Sequence, residues 1–158
     1  MRQLIESTRS SGAGVLAALR AIADPTSGYL SDAWQVAELQ ARVLRDLLLT
    51  PSNWLPATIT ELIPSITVDL IESIPVAGTA FWGNNHWNIH LRASDEAGQQ
   101  HHTLLHELKH IIDHPLRIQQ SHLSPAEWET VADHFADVVL GTGQPSPGEQ
   151  PPANVATV

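Results

Sequence analysis

The sequence predicts an α+β fold, in which a small, mostly antiparallel sheet packs on two helices, with additional helices on the N-terminal side. Two observations lead to this prediction. Short runs rich in β-branched and aromatic residues occupy the middle of the chain, and two longer segments with apolar residues at helical spacing follow them. The predicted strands span 66–71, 79–82 and 86–92, and the two helices span 96–113 and 125–140.

The N-terminal third of the chain is predicted to contain helices over 1–23 and 32–49. Apolar side chains recur along one face of the second segment, from Trp34 to Leu48, while most of its charged residues lie elsewhere. We expect residues 1–50 to form a helical segment that packs on the core of the protein.

The rest of the chain divides into a core and a tail. Residues 51–140 contain the predicted strands and the two long helices, and they form the predicted core. Residues 141–158 are rich in proline and glycine and have few large apolar groups, so they cannot bury enough surface to offset the entropy of ordering. We therefore predict a disordered tail.

A hairpin is predicted between the last two strands. The sequence Gly-Asn-Asn at 83–85 suits a turn, because glycine and asparagine tolerate positive φ. In the strand that follows, Trp87, Ile89 and Leu91 alternate with polar residues and give one apolar face. Because 86–92 directly precedes a helix, we expect it to be the sheet edge beside that helix, where an extended peptide could pair with it. An ordinary hairpin strand without ligand contact is the alternative.

The boundaries of the two long helices carry local signals. Ser124 and Glu127 form a capping box at the start of 125–140, and Gly141 suits its C-terminal end. Pro115 predicts that the helix before it ends near residue 113, since proline disfavours the helical conformation of its predecessor.

Composition limits the partners of the protein. Eight lysines and arginines stand against 17 aspartates and glutamates, a formal net charge of −9, which disfavours direct contact with nucleic acid or anionic lipid. No apolar run approaches the length of a membrane span, and no segment resembles a signal peptide, so we expect a soluble, cytoplasmic protein. The chain has no cysteine, which leaves His, Asp and Glu as possible metal ligands.

A histidine motif on the first long helix predicts a metal site. His106 and His110 are four residues apart, so both imidazoles leave the same face of the helix and can bind one ion. Glu107 follows the first histidine directly, as in the His-Glu-x-x-His pattern, where the glutamate takes a proton from water at the metal. His102 and His114 continue the spacing of four, but no carboxylate follows them directly.

A catalytic zinc site needs a third protein ligand, and the second long helix offers candidates. Glu129, Asp133 and Asp137 recur at steps of four and share one stripe. Two interpretations of this stripe remain open from the spacing alone: it supplies a ligand, or it is a solvated face.

Two segments together resemble the ImmA/IrrE family of metallopeptidases. The resemblance is carried by His-His-Thr-Leu-Leu-His-Glu-Leu-Lys-His-Ile-Ile-Asp-His-Pro at 101–115 and by Glu-Thr-Val-Ala-Asp-His-Phe-Ala at 129–136. With the preceding strands it covers about residues 60–140. It implies a compact gluzincin fold, with a small sheet over a two-helix zincin active site.

The resemblance also implies roles for individual residues. His106, His110 and Glu129 would bind Zn²⁺, and Glu107 would be the catalytic base. Asp133 would orient a ligand histidine. The competing assignment places Asp133 on the metal and Glu129 behind it, and Asp137 ranks third among the acids of this stripe.

The predicted function is that of a zinc-dependent endopeptidase acting on a specific intracellular protein. The resemblance implies a helix-turn-helix transcriptional repressor, or a regulator of a mobile element or stress response, as the substrate. The alternative is a non-proteolytic zinc-binding module that binds a regulator or partner, including one from a toxin–antitoxin or phage system. The sequence identifies no residue that would stabilise the oxyanion.

Overall fold

The computed structural model describes residues 14–23, 29–48, 55–120 and 122–142, and most of the predicted tail, 143–158, lies outside that part of the chain, as do residues 1–13 of the first predicted helix. The α+β class is confirmed. The described helices are α1 (Gly14–Ala21), α2 (Leu30–Leu47), α3 (Leu55–Leu62), α4 (Ala97–Gln120) and α5 (Pro125–Leu140), and the strands are β1 (Ile66–Ile71), β2 (Gly78–Gly83) and β3 (His86–Arg92).

The three strands form one mixed sheet in the order β1-β3-β2. β3 pairs with β2 in the antiparallel sense through their hairpin, and it pairs with β1 in the parallel sense. The sheet therefore has one pairing of each kind instead of being mostly antiparallel, because β3 returns from the hairpin into the space between the two earlier strands.

β3 is the central strand, so the prediction that 86–92 forms the sheet edge was wrong. Proximity in sequence to the next helix did not reveal that both sides of this strand are occupied by backbone hydrogen bonds. Within the described part of the chain, β2 is the edge strand that lies beside α4, and no strand pairs with its other side. A Cβ added at Gly78 would lie only 2.5 Å from the Cγ2 atom of Thr103, so glycine permits the close approach of this strand to α4.

The hairpin turn has the backbone that its sequence predicts. Asn84 and Asn85 both have positive φ, 53° and 61°, which is the left-handed conformation that a two-residue type I′ turn requires at both central positions. This turn fixes the register of Gly83 opposite His86 and thereby of the whole β2–β3 pair.

The capping signals of α5 are also confirmed. The Ser124 hydroxyl accepts a hydrogen bond from the Glu127 backbone N–H at 3.2 Å, and the Glu127 carboxylate accepts one from the Ser124 N–H at 2.7 Å. Gly141 ends the helix with φ 72°, a conformation that glycine adopts without a steric penalty. These caps set the start of α5 and so the positions of its acidic residues.

α4 does not end before Pro115, as its sequence predicts, but continues to Gln120. Proline lacks the N–H that would bond the carbonyl of Ile111. Arg20 of α1 supplies the missing donor: its Nη2 lies 2.8 Å from the Ile111 oxygen, and its Nε lies 3.3 Å from the Ile112 oxygen. A guanidinium from a distant segment therefore gives the Ile111 carbonyl the donor that Pro115 removes, adds a bond to the next carbonyl and supports the helix across the proline.

The face of α4 that packs on the N-terminal helices contains a buried polar network. Lys109 is 1% exposed, and its ammonium donates to Asp113 at 2.6 Å and to the side-chain oxygen of Gln40 at 2.8 Å. The Gln40 amide in turn donates to the Leu19 backbone oxygen at 2.9 Å. These bonds join α1 and α2 to α4 and satisfy each buried polar group that they include.

Apolar side chains fill the rest of the interior between the helices and the inner face of the sheet. Leu104, Leu105 and Leu108 of α4 are fully buried, as are Ile89 and Leu91 of β3. The core thus holds α4 rigidly against the sheet and the other helices. Among the described residues, no helix combines the length and apolar character needed to cross a membrane.

Candidate metal centre

Three side chains from α4 and α5 converge at one point and could hold a metal ion. The offered ligand atoms of His106, His110 and Glu129 all lie within 4.8 Å of one another. The histidines come from successive turns of α4, whereas the glutamate comes from the second turn of α5. The structure therefore brings together the three residues that the sequence analysis named as ligands.

The spacing of these atoms fits a tetrahedral ion. The Nε2 atoms of His106 and His110 are 3.0 Å apart, and the two carboxylate oxygens of Glu129 lie 3.0 Å and 3.2 Å from them, one beside each histidine. Ligands about 2.0–2.1 Å from a tetrahedral zinc ion are roughly 3.3 Å from one another. Only a small outward movement of the ligands would admit the ion.

His106 has a carboxylate beside each of its two ring nitrogens. Asp133 lies 2.7 Å from Nδ1 of His106, and a carboxylate can only accept, so Nδ1 carries a proton. In neutral His106 the Nε2 atom then presents a lone pair to the carboxylate of Glu129. Two acceptors so close repel each other, and a proton or a metal cation between them removes the repulsion.

His110 has a different environment. Nη1 of Arg117 lies 3.1 Å from Nδ1 of His110, and a guanidinium is a donor only, so Nδ1 acts as the acceptor in this arrangement. Burial is the main reason that the pKa of His110 is lowered, and the neighbouring His106 and Arg117 lower it further. These effects favour the neutral imidazole, the charge state that a metal requires.

Glu107 lies beside the ligands on the side of the sheet. Burial raises the pKa of its carboxyl, while the nearby His106 ring and a hydrogen bond from the Ala80 backbone act in the opposite direction. A raised pKa brings a carboxylate closer to the range in which it accepts and returns a proton efficiently. The backbone of β2 thus contacts the residue that the sequence predicts as the base.

The contact with Ala80 involves the free side of β2. Arg92 donates to the Ala77 oxygen at 2.8 Å, which makes these residues a hydrogen-bonded pair of the antiparallel ladder. Such pairs alternate, so the N–H and C=O groups of Ala80 and Trp82 point away from β3. The free side of this strand therefore faces the predicted catalytic base.

The remaining histidines lie outside this cluster. His102 of α4 contacts Asp137 of α5 at 3.2 Å, one turn from the pair formed by His106 and Asp133. His134 is buried at the far side of α5, where it contacts Glu38 at 3.1 Å. The acidic stripe of α5 is thus neither a purely solvated face nor a single ligand, because each of its three acids faces a histidine of α4.

Sequence reasoning missed Arg117, because it placed this residue beyond the end of the helix. The residue is the seventh after His110, a separation of two helical turns, and it belongs to the same face of α4. The continuation of α4 past Pro115, supported by Arg20 of α1, is what keeps Arg117 on this face.

Comparisons of the chain with protein-family models, with curated proteins and with solved structures gave no match.

Proposed function

We propose that this protein is a zinc-dependent endopeptidase that cleaves an intracellular protein, with Glu107 as its general base. The observation that carries the proposal is the convergence of His106, His110 and Glu129 beside this glutamate. A structural metal site is closed by four protein ligands, whereas a hydrolytic site has three and keeps a position for water. The described residues offer three ligands and a base, which is the hydrolytic combination.

The metal would supply a Lewis acid that polarises a carbonyl oxygen and makes water more acidic. Glu107 would take a proton from water as the water oxygen forms a bond to the peptide carbon, and it would deliver that proton to the leaving nitrogen as the C–N bond breaks. Asp133 is a positioning residue, because it fixes the Nδ1–H tautomer of His106.

The substrate would lie as an extended strand along the free side of β2. Support comes from the outward backbone groups of this strand and from its side chains Phe81 and Trp82, which are 41% and 58% exposed. Main-chain pairing holds a peptide in an extended form and presents one peptide bond to the base. Trp82→Pro removes an outward N–H without breaking the ladder to β3, so it should lower cleavage while the protein stays folded; unchanged cleavage would exclude this path.

The resemblance to ImmA/IrrE peptidases points to a helix-turn-helix regulator as the substrate. Purified zinc-loaded protein should be incubated with proteins of its native host, and new protein termini should be identified by mass spectrometry. A transcriptional regulator cut at one position is the expected result. If cleavage occurs only in other classes of protein, the proposed substrate class is wrong, but the proposed peptidase activity stands.

Glu107→Gln tests the reaction itself. The amide has the shape of the carboxylate but cannot take the proton, so cleavage should fall about 10²–10⁴-fold while zinc stays bound. Glu61→Gln is the matched control, because Glu61 is exposed on α3, a helix that carries none of the proposed site residues, and this variant should cleave normally. Normal cleavage by the Glu107 variant would rule out this base. Zinc binding without any cleavage in wild-type protein would favour the non-proteolytic binding module.

A further inference from the structure

Arg117 is a donor beside the metal centre with no assigned role. Its side chain is exposed, and its guanidinium approaches the cluster from two turns further along α4. It contacts Nδ1 of His110 at 3.1 Å. Burial raises the pKa of Glu107 and of Asp113, and the positive charge of Arg117 partly offsets this rise in both. Arg117 thus contacts one proposed ligand and acts electrostatically on the predicted base.

The contact with His110 is incompatible with a metal on the other nitrogen of that ring. The Nε2 atom of His110 faces His106 and Glu129, so it is the atom that would bind the ion. A neutral imidazole that uses the Nε2 lone pair carries its proton on Nδ1. Nδ1 is then a donor, and Arg117 is a donor only, so the two groups must separate when the ion binds.

Separation leaves a mobile cation beside the reacting groups. Arg117 has a long side chain that solvent can reach, and its backbone is fixed because Arg20 supports α4 across Pro115. A guanidinium offers several N–H groups in a plane and binds oxyanions strongly. The single tyrosine of the sequence, Tyr29, directly precedes α2 and does not belong to either helix that carries the proposed ligands.

We propose that Arg117 is the anion-binding residue of the metal centre, and that it turns from His110 to donate hydrogen bonds to the oxygen of the attacked carbonyl. This inference rests on the proposed metal site and extends it. When the water oxygen bonds to the carbonyl carbon, the π electron pair moves to the carbonyl oxygen and makes it an oxyanion. Arg117 stabilises that charge by hydrogen bonding and transfers no proton, so the proton balance of Glu107 is unchanged.

The test uses cobalt(II)-loaded protein and two small probes, and it requires no substrate. Inorganic phosphate is a tetrahedral oxyanion with oxygens that Arg117 can contact. Imidazole also binds a metal, but it has no oxygen atom. The dissociation constant of each probe is measured from the visible spectrum of cobalt in wild type, Arg117→Ala, Arg117→Lys and Arg42→Ala. Arg42 is the matched control, because it is an exposed arginine on α2, a helix that carries none of the proposed site residues.

Arg117→Ala should weaken phosphate binding by roughly 10–100-fold, the range for loss of one charge-assisted hydrogen bond, and should leave imidazole binding unchanged. Arg117→Lys should recover part of the phosphate affinity, and Arg42→Ala should match wild type. Arg117→Ala should also tighten cobalt binding by roughly 3–10-fold, because a like charge and the competing contact with His110 are both removed. A merely structural arginine would weaken cobalt binding instead.

Two results would overturn the inference while the metal site survives. The first is cobalt binding with the same phosphate affinity in Arg117→Ala and wild type. The second is an equal loss of phosphate and imidazole affinity, which indicates damage to the site. Failure of the wild-type protein to bind cobalt would reject the metal site and this inference with it.

Discussion

The two faces of α4 use charged side chains in opposite ways. On the face toward α1 and α2, Lys109 and Asp113 are 1% and 2% exposed, and donors meet acceptors within the protein. On the face toward α5, Nε2 of His106 and a carboxylate oxygen of Glu129 lie 3.0 Å apart, and in a neutral His106 with its proton on Nδ1 both atoms are acceptors. The first face is complete without a ligand. On the second face a cation or a proton must lie among the acceptors, and without an ion the Nε2–H of His110 can supply that proton.

One face of α4 therefore contributes mainly to stability, and the other carries the candidate metal centre. The buried network holds α4 in place. Hydrogen-bond acceptors on the opposite face can therefore stay close together. Such groups are unfavourable unless the surrounding structure fixes them, and this arrangement is typical of sites prepared for an ion. Three predictions test the comparison, beginning with the largest expected effect.

Asp113→Ala should destabilise the protein most. It leaves the buried ammonium of Lys109 without its carboxylate, and breaking a buried pair in this way costs about 3–5 kcal/mol of unfolding free energy. Lys109→Met combined with Asp113→Leu removes both charges and should cost less, about 1–3 kcal/mol, because only the Gln40 oxygen loses a donor. Urea unfolding measures both, and equal losses in the two variants would show that the pair is not the cause.

On the other face, the same kind of substitution should affect metal binding more than folding. Glu129→Ala removes a proposed ligand, and Asp133→Ala removes the residue that fixes the His106 tautomer. Loss of an orienting residue weakens metal binding by roughly 10–100-fold, and loss of a ligand should weaken it more. Zinc affinity is measured by competition with a chelating dye. Loss of metal in Asp133→Ala, with retention in Glu129→Ala, would support the swapped assignment.

Arg20 joins the two faces, because it supports the part of α4 that places Arg117. Arg20→Ala leaves the Ile111 carbonyl without its donor and should cost about 1–3 kcal/mol. Pro115→Ala restores a backbone N–H that can bond this carbonyl, so the double variant should recover part of the loss. Thermal or urea unfolding of the two single variants and the double variant measures the coupling. Strictly additive effects would contradict this account of the helix continuation.

Local patterns were sufficient to predict much of the fold and the ligand cluster. The limits of β3, the left-handed asparagines of the turn and the capping box of Ser124 depend on neighbours within a few residues. The spacing of four likewise placed His106 and His110 on one face. These features follow from short-range geometry, so a single sequence contains the information.

Features that depend on distant parts of the chain were not predictable in this way. The central position of β3 depends on β1 as well as on its hairpin. The continuation of α4 past Pro115 depends on Arg20, which is more than 90 residues away in the sequence. Arg117 and the buried Lys109 were missed for the same reason, since their roles follow from contacts between helices.

The most direct test of the central claim is metal analysis of the purified protein. Zinc should bind at one ion per chain, and His106→Ala together with His110→Ala should abolish it while the far-ultraviolet circular dichroism stays that of a folded α+β protein. Binding should weaken as the pH falls, because protons compete for the imidazoles; burial lowers the pKa of His110, so competition at this ligand begins below its ordinary range. Absence of zinc, both as purified and after addition to metal-free protein, would contradict the account.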